Sequence, residues 1–291
     1  MRLSRLKTSW KMTERYDLHT HLFTTWEKGR YSLERQPRSP ERILSAIRRA
    51  GLDGIVLVNF ADSRYEKFAD EALKEPISGF SFVKSSPNAL TFADDKGYLR
   101  VIKGQEIPTP DGHVLAVATD YGQSVANWMR LVETSKAIRN NGAISCADHF
   151  SGRMGVGTGK LVENPELFDT FEGINQNYAR RVLKPLVGIN LPVPMLNKIS
   201  CFTGLNWIAV SDSHNLGDIG TGHIMIQGGL DFSGADNLRG SLKEVLSHQE
   251  KFVPVDIKPN AIGAILAHAF IANYDSKIRE PRGWLGQKNA D

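Results

Sequence analysis

Cysteine is scarce in this chain, since only Cys146 and Cys201 occur and they lie far apart. Without a CxxC pair, the sequence excludes zinc ribbons and thioredoxin-type redox sites, and two reduced thiols are the simplest interpretation. No apolar run approaches the roughly 20 residues of a membrane-spanning helix. The sequence therefore predicts neither a membrane span nor a membrane partner.

A strong charge excess is also missing, because the net charge is only +4 over 291 residues. Such a mild basic balance suits an anionic substrate and ordinary solubility equally well. The start of the chain is polar and basic and lacks the apolar core of a secretory signal. We expect a flexible leader over 1–14, one barrel domain over 15–275, a polar tail over 276–291 and a cytoplasmic location.

Short apolar runs alternate with amphipathic stretches along the chain. Residues 16–21 predict a first strand, and Ser39 and Pro40 then begin a helix as its N-cap and first residue, with Gly51 at its end. The apolar run inside 53–60 is typical of a strand buried on both faces of a parallel sheet. Further strands are predicted at 98–107, 113–119, 143–149, 171–176, 207–212 and 223–227, and helices at 125–140, 238–248 and 260–274. This alternation predicts an α/β chain with a parallel sheet or a barrel.

Three local features qualify this pattern. Residues 76–95 are mixed in character, and we interpret them as an insertion. The helix predicted at 125–140 places Trp128, Leu131, Val132 and Ile138 on one side. The Gly-rich stretch 151–160 is interpreted as a loop that covers a phosphate. It does not match a P-loop, because Leu161 follows Lys160 and the glycine spacing differs from that motif.

Two short motifs place metal-binding side chains at strand ends. His19 and His21 lie two residues apart, so in a strand both imidazoles point to the same side. Asp212 and His214 repeat this spacing directly after an apolar strand. Imidazole and carboxylate groups aimed together are ligands for a divalent metal, and barrel sites form at the carboxyl ends of strands. The alternative for each pair alone is a set of hydrogen-bonded surface groups.

Three more candidates follow other predicted strands. Glu106 ends one strand, His113 begins the next, and His149 closes a third. Glu106 could bridge two metals, although a solvated turn acid is the alternative, and a lone histidine such as His149 is commonly a core residue. Of the remaining histidines, His223 could line the site, whereas His248 and His268 are interpreted as structural.

The order of these motifs resembles the polymerase and histidinol phosphatase (PHP) family over roughly residues 16–226. That resemblance implies a single-domain, distorted (β/α)7 barrel with metals at the carboxyl ends of the strands, and phosphoester hydrolysis. It implies one metal held by His19, His21, Glu106 and Asp212, and a second held by Glu106, His113 and His149. The motifs are Asp17-Leu18-His19-Thr20-His21, Ser39-Pro40-Glu41, Gly51-Leu52-Asp53-Gly54, Gly104-Gln105-Glu106, Gly112-His113, Phe171-Glu172-Gly173-Ile174-Asn175 and Val210-Ser211-Asp212-Ser213-His214.

The chain departs from this family at the third metal site, which usually takes ligands from two further segments. The first segment reads Tyr31-Ser32-Leu33-Glu34 here, and the second reads Val58-Asn59-Phe60, which offers no good ligand. His214 remains as a third-site ligand unless Glu34 or Asp62 substitutes. We therefore expect two divalent metals, drawn from Zn, Mn and Fe. His214 and Asp212 are the predicted catalytic residues, with His214 protonating the leaving oxygen.

Phosphoryl transfer also needs cations near the developing charge. Arg153 and Lys160 of the Gly-rich stretch, and Arg180 with Arg181, are the predicted phosphate contacts. The alternative for each of them is a solvated surface charge.

Three functions stay open from the sequence. The first is hydrolysis of a phosphoester in a small phosphorylated metabolite or nucleotide. The second is an exonuclease on short single strands, for which Trp26, Tyr31 and Phe60 are candidate stacking platforms. The third is a catalytically weak binding module, against which the near-complete ligand set argues. The sequence carries no signal for an oligomeric state.

Overall fold

A computed structural model describes residues 13–22, 39–60, 63–149, 154–176, 193–214 and 216–256. The predicted helix at 260–274, the polar tail and all of the predicted leader before Thr13 lie outside these ranges. No helix in the described ranges is long and apolar enough to cross a membrane.

The described helices follow the apolar periodicity of the sequence. Helix α1 begins as predicted, because the Ser39 hydroxyl accepts a hydrogen bond from the Arg42 amide and Pro40 occupies the first position. It ends where Gly51 adopts a φ of +70°. The helices are α1 (Pro40–Arg49), α2 (Arg64–Lys74), α3 (Leu131–Asn140), α4 (Thr158–Glu163), α5 (Val193–Thr203) and α6 (Ala235–Ser247), with 3-10 turns at Pro165–Leu167 and Gln249–Lys251.

The described strands form one mixed sheet. Its order is β11-β10-β1-β2-β5-β6-β7-β8-β9, with β4 also pairing β5 and β3 pairing β4. The strands are β1 (Thr13–Thr20), β2 (Gly54–Asn59), β3 (Ser81–Ser86), β4 (Ala89–Asp94), β5 (Gly97–Thr109), β6 (Gly112–Val117), β7 (Ile144–Ala147), β8 (Thr170–Asn175), β9 (Asn206–Val210), β10 (Gly222–Gln227) and β11 (Phe252–Asp256).

The sheet curves into a nearly closed barrel. Beyond the end of β9, Ser213 forms a parallel bridge with Thr20 of β1, and the Ser213 carbonyl accepts a 2.8 Å hydrogen bond from the His21 amide. The first and last parallel strands of the ring therefore meet at a seam, which we define as residues Thr20, His21 and Ser213.

Both faces of β2 are buried, as its continuous apolar run predicts. Val56 and Val58 pack inside the ring with Leu18 and Leu115, while Ile55 and Leu57 pack outside against the helices. Side chains that alternate along a strand thus serve two separate cores.

The sheet is less regular than the predicted parallel arrangement. Strands β5 and β6 form an antiparallel hairpin, so no helix separates them, and β10 runs antiparallel to β1. The predicted insertion at 76–95 forms the β3–β4 hairpin, which continues the sheet at β5.

The start predicted for the third helix is wrong. The segment 125–130 is irregular, since Trp128 has a φ of +66° and its amide donates to the Pro108 carbonyl at 2.7 Å. Helix α3 therefore begins at Leu131, and Trp128, predicted to lie within the helix, precedes it and is 55% exposed.

Candidate metal centre

The predicted ligands converge at one rim of the barrel. His19 ends β1 with His21 just beyond it, Glu106 lies in β5, and His113 begins β6. His149 follows β7, and Asp212 and His214 follow β9. All of these side chains except His214 are buried. The structure thus brings together residues that are up to 195 positions apart in the chain.

The two histidines of the first strand face each other as their spacing predicts. Their Nε2 atoms lie 2.8 Å apart. Glu106 Oε2 is 3.1 Å from His21 Nε2 and 3.9 Å from His19 Nε2. Asp212 Oδ1 is 3.4 Å from His21 Nε2 and 3.7 Å from His19 Nε2. Four candidate ligand atoms therefore surround one point.

Glu106 joins this group to a second one. Its Oε1 atom contacts His113 Nδ1 closely and lies 3.3 Å from His149 Nε2, while its Oε2 faces the two histidines of β1. A carboxylate with one oxygen in each group has the arrangement that a bridging ligand needs.

Two acidic residues join the cluster that the sequence did not assign as ligands. Asp148 Oδ2 is 3.3 Å from His149 Nε2, and Asp148 Oδ1 is 3.4 Å from His19 Nδ1. Glu172 Oε1 forms a 2.7 Å hydrogen bond with His19 Nδ1. For Glu172 a signal was present in the sequence, because it belongs to the Glu-x-x-Asn motif.

Glu172 is also held from its other side. Its Oε2 atom accepts hydrogen bonds of 2.9 Å from the His149 amide and from Asn175 Nδ2. Asn175 Nδ2 reaches Asp212 Oδ2 as well, at 3.3 Å. Strand β8 thereby contacts cluster residues from three other parts of the rim, namely His19, His149 and Asp212.

The backbone is held away from its preferred conformations at two ligands. His149 has a φ of +22° and Asp212 a φ of +49°, both in the region that non-glycine residues rarely adopt. Such conformations cost about 1–3 kcal/mol each and are concentrated at functional sites.

Electrostatics in the cluster follow from burial and close charges. Burial opposes ionisation of Glu106, but His113 and the hydrogen bonds of neighbouring histidines bring its pKa well below the usual range. Burial also opposes a charge on His19, yet Glu172 and Asp148 raise its pKa. For Asp148, burial and the Glu172 charge both raise the pKa. For His21, burial lowers the pKa to about 3.

His214 differs from the other predicted ligands. Its side chain is 38% exposed, its Nε2 lies 3.4 Å from Asp212 Oδ1, and its ring stacks on His21 with centroids 4.6 Å apart. His214 therefore borders the cluster on its exposed side. By contrast, His223 is buried in β10, and its Nδ1 donates to the Gly220 carbonyl at 2.8 Å.

The segment that departs from the family pattern has other contacts. Asn59 donates to Glu66 Oε2 at 2.6 Å and accepts from the Tyr65 amide at 2.7 Å. The Phe60 ring lies 5.8 Å from the His113 ring. Buried Arg64 places its Nη1 2.9 Å from His21 Nδ1, a cation that the sequence analysis missed.

The predicted phosphate contacts are only partly described. Lys160 lies in α4, where it pairs with Asp111, and its side chain is 45% exposed. Arg153, Arg180 and Arg181 lie outside the described residues, as do the candidates Trp26, Tyr31, Glu34, Asp62 and His268.

The donor set fits divalent metal ions. Ligand atoms of Glu106, His113, Asp148 and His149 lie within 4.8 Å of one another, and the same holds for His19, His21 and Asp212, and for His19, Asp148 and Glu172. Both Asp148 oxygens are buried and make no well-formed hydrogen bond with the described residues, although His19 Nδ1 and His149 Nε2 lie 3.4 and 3.3 Å away. A buried carboxylate in that state is costly unless a cation compensates it.

Comparison with known proteins shows the fold. Neither a family model nor a curated protein matches the chain by sequence. PsfC from Pseudomonas syringae PB-5123 is similar in structure, with a TM-score of 0.58 and 13% identity over 90% of this chain and 98% of PsfC. The lesion-specific endonuclease EndoQ from Pyrococcus furiosus gives a TM-score of 0.49 and 13% identity over 80% of this chain and 56% of that one. The chain has a PHP-like fold.

Proposed function

We propose that this chain is a metal-dependent hydrolase of phosphoester bonds in a small phosphorylated metabolite or nucleotide. One observation carries this proposal. Four carboxylates that are at most 5% exposed, with four buried imidazoles among them, face one another at the barrel rim. The carboxylates belong to Glu106, Asp148, Glu172 and Asp212, and the imidazoles to His19, His21, His113 and His149.

The charge of the cluster supports two divalent ions. Four ionised carboxylates would repel one another strongly in a buried site. Two divalent cations carry the matching positive charge, and Glu106 has one oxygen toward each ligand group. The first ion would be held by His19, His21, Glu106 and Asp212, and the second by Glu106, His113, His149 and Asp148. Mixed imidazole and carboxylate ligands suit Zn, Mn or Fe.

Bound ions at these residues would supply a Lewis acid for the phosphoryl oxygens and lower the pKa of water. The chain's own groups would position the reactants. Glu172 holds the His19 ring through its Nδ1 atom, which leaves Nε2 directed into the cluster. His214, half exposed beside Asp212, would deliver a proton from its ring to the leaving oxygen. Arg64 adds a fixed positive charge next to His21.

The first experiment measures metal content and turnover together. Protein purified with Mn²⁺ is assayed on a chromogenic phosphomonoester and a phosphodiester, beside His19→Ala and the control His248→Ala. His248 is an exposed histidine whose Nδ1 contacts the Glu244 carbonyl, distant in sequence from the cluster. We expect His19→Ala to lose metal and at least about 100-fold in turnover, with His248→Ala unchanged.

The result can contradict the proposal in two ways. Wild-type protein without bound metal would exclude a metal hydrolase and favour a binding module. Turnover that persists in His19→Ala would place the activity elsewhere. For the role of His214, we expect His214→Asn to keep its metal and lose turnover. A variant that loses metal but keeps turnover per bound ion would refute that role.

A further inference from the structure

A cleft lies beside the metal cluster, between the start of α2 and the segment that connects β6 to α3. Its volume is about 500 Å³, and its lining includes Phe60, Ser63, Glu66, Gln105 and Asn127. The Phe60 ring, which lines the cleft, lies 5.8 Å from the His113 ring of the cluster. A group attached to a phosphoryl at the metals can therefore reach this cleft.

The walls of the cleft are fixed before a ligand arrives. Gln105 donates to the Val125 carbonyl at 2.7 Å and accepts from the Val125 amide at 2.8 Å. Buried Lys103 donates to the carbonyls of Asp120 and Gln123, each at 2.6 Å. The wall of the cleft formed by residues 120–125 is thus hydrogen-bonded to β5 at Asp120, Gln123 and Val125. Because this wall is already ordered, ligand binding costs less conformational entropy.

The cleft carries no net charge from its described lining. Its one acid, Glu66, lies 2.6 Å from Lys103 Nζ, so the two charges cancel. The other polar groups are amides and hydroxyls. A second phosphate or a cation would find no counter-charge here, so the cleft is suited to an uncharged group.

Two features of the lining select a planar group with an N–H donor. The half-buried Phe60 ring offers an apolar face at the boundary with the cluster. Asn127 Oδ1 is buried and has no hydrogen-bond donor among the described residues. The Asn59 and Gln105 amides are already engaged by the protein. Asn127 is therefore a lining amide whose oxygen is left to accept a bond from a ligand.

We propose that this cleft binds the nucleobase of a nucleotide substrate, with Phe60 as its stacking surface and Asn127 as its acceptor. This inference rests on the proposed function, since it specifies what is attached to the phosphoryl group. It also gives Phe60 a role at the position where a third metal ligand is missing.

Binding of adenosine, which has a base but no phosphate, tests the cleft without depending on turnover. Its affinity is measured by calorimetry on the full-length protein, with and without Mn²⁺, and ribose serves as the ligand control. We expect adenosine to bind and ribose not to bind. Phe60→Ala should weaken adenosine binding by about tenfold, and Asn127→Ala by about threefold to tenfold. The matched control is Phe202→Ala, whose ring is 81% exposed on α5.

The outcomes separate this inference from the proposed hydrolase. Adenosine binding that is lost in Phe60→Ala supports the cleft even if no phosphoester is hydrolysed. Absent adenosine binding, or equal affinity in wild type, Phe60→Ala and Asn127→Ala, would overturn it even if hydrolysis is found. Phe60→Leu keeps the side chain apolar but removes the ring, so weak binding in this variant with unchanged melting temperature excludes misfolding as the cause.

Discussion

Glu172 acts on the cluster through the ring of His19. Its carboxylate bonds the His19 Nδ1 atom at 2.7 Å, and a metal-ligating histidine with such a partner has a fixed tautomer and orientation. The His149 amide and Asn175 hold the other oxygen of Glu172. In the proposed metal centre, Glu172 would therefore position ligands on both sides of Glu106.

Replacing this charge while keeping the shape should weaken the metal site. We expect Glu172→Gln to lower Mn²⁺ affinity or turnover by about 10- to 100-fold, because the amide no longer polarises the His19 ring. Metal titration followed by elemental analysis measures the effect. Glu163→Gln, an exposed position on α4, is the control. Equal metal affinity in both variants would contradict this role.

At the scale of single residues, the i and i+2 spacing of His19 and His21 was enough to predict their convergence. Asp148 was not predictable in the same way, because neighbours in an extended strand point to opposite sides. The backbone leaves the extended conformation at His149, where φ is +22°, and this brings both side chains to the cluster. No sequence pattern predicts that turn.

Among the elements, the β5–β6 hairpin supplies both Glu106 and His113. It runs back after a tight turn in which Gly112 has a φ of +122°. A Cβ on Gly112 would lie 2.4 Å from the Gly155 backbone, so this close approach requires glycine. The contact joins the hairpin to the stretch that leads into α4.

Gly112→Ala and Gly97→Ala form a matched pair that isolates this contact. Gly97 has nearly the same φ, +121°, but a Cβ there meets nothing within 4 Å. We expect Gly112→Ala to be more destabilising than Gly97→Ala by about 1–3 kcal/mol. Urea denaturation of both variants measures the difference. Equal losses would indicate that backbone conformation alone explains the effect.

Lys103 joins three elements through one ammonium group. Its three donors reach Glu66 of α2 and the carbonyls of Asp120 and Gln123. Burial would raise the pKa of Glu66, but the hydrogen bonds from Lys103 and Asn59 lower it below 4.5. The stabilisation from Glu66 is therefore present above pH 4.5 and is lost as the pH falls through the lowered pKa.

Lys103→Met should reveal how the stability of the fold depends on the ionisation of Glu66. At pH 7 we expect a loss of about 3 kcal/mol, because the variant removes the positive charge that pairs with half-buried Glu66 and the donor that two carbonyls share. The stability difference from wild type should shrink as the pH falls below about 4.5. Denaturation at pH 7 and at pH 4 tests the sign, with exposed Lys96→Met as the control. A constant difference would exclude the Glu66 contribution.

Local sequence patterns predicted the helices and strands better than their pairing and tertiary contacts. The Ser39-Pro40 start of α1 and the doubly buried β2 are confirmed, because capping and burial act over a few residues. The late start of α3 depends on Gln105 and Pro108, which contact the 125–130 segment from another strand. The antiparallel direction of β6 is likewise set by pairing, which periodicity does not encode.

For the whole molecule, bound metal should add to the free energy of unfolding. A ligand at 100 times its dissociation constant stabilises the native state by about 2.7 kcal/mol. We expect Mn²⁺ to raise the melting temperature of chelator-treated protein by about 5 to 10 °C. Calorimetric scans of wild type, His19→Ala and His248→Ala measure this. An identical shift in His19→Ala would mean that the metal binds elsewhere.

The seam of Thr20, His21 and Ser213 implies an order in which the cluster residues come together during folding. Glu106 and His113 meet within one hairpin, so this pair requires the closure of only a short loop. His21 and Asp212 meet only after more than half of the chain has been arranged between them. Long loops close late and slowly. A nascent chain would thus bring Glu106 and His113 together early, and bring His21 and Asp212 together only when the ring closes.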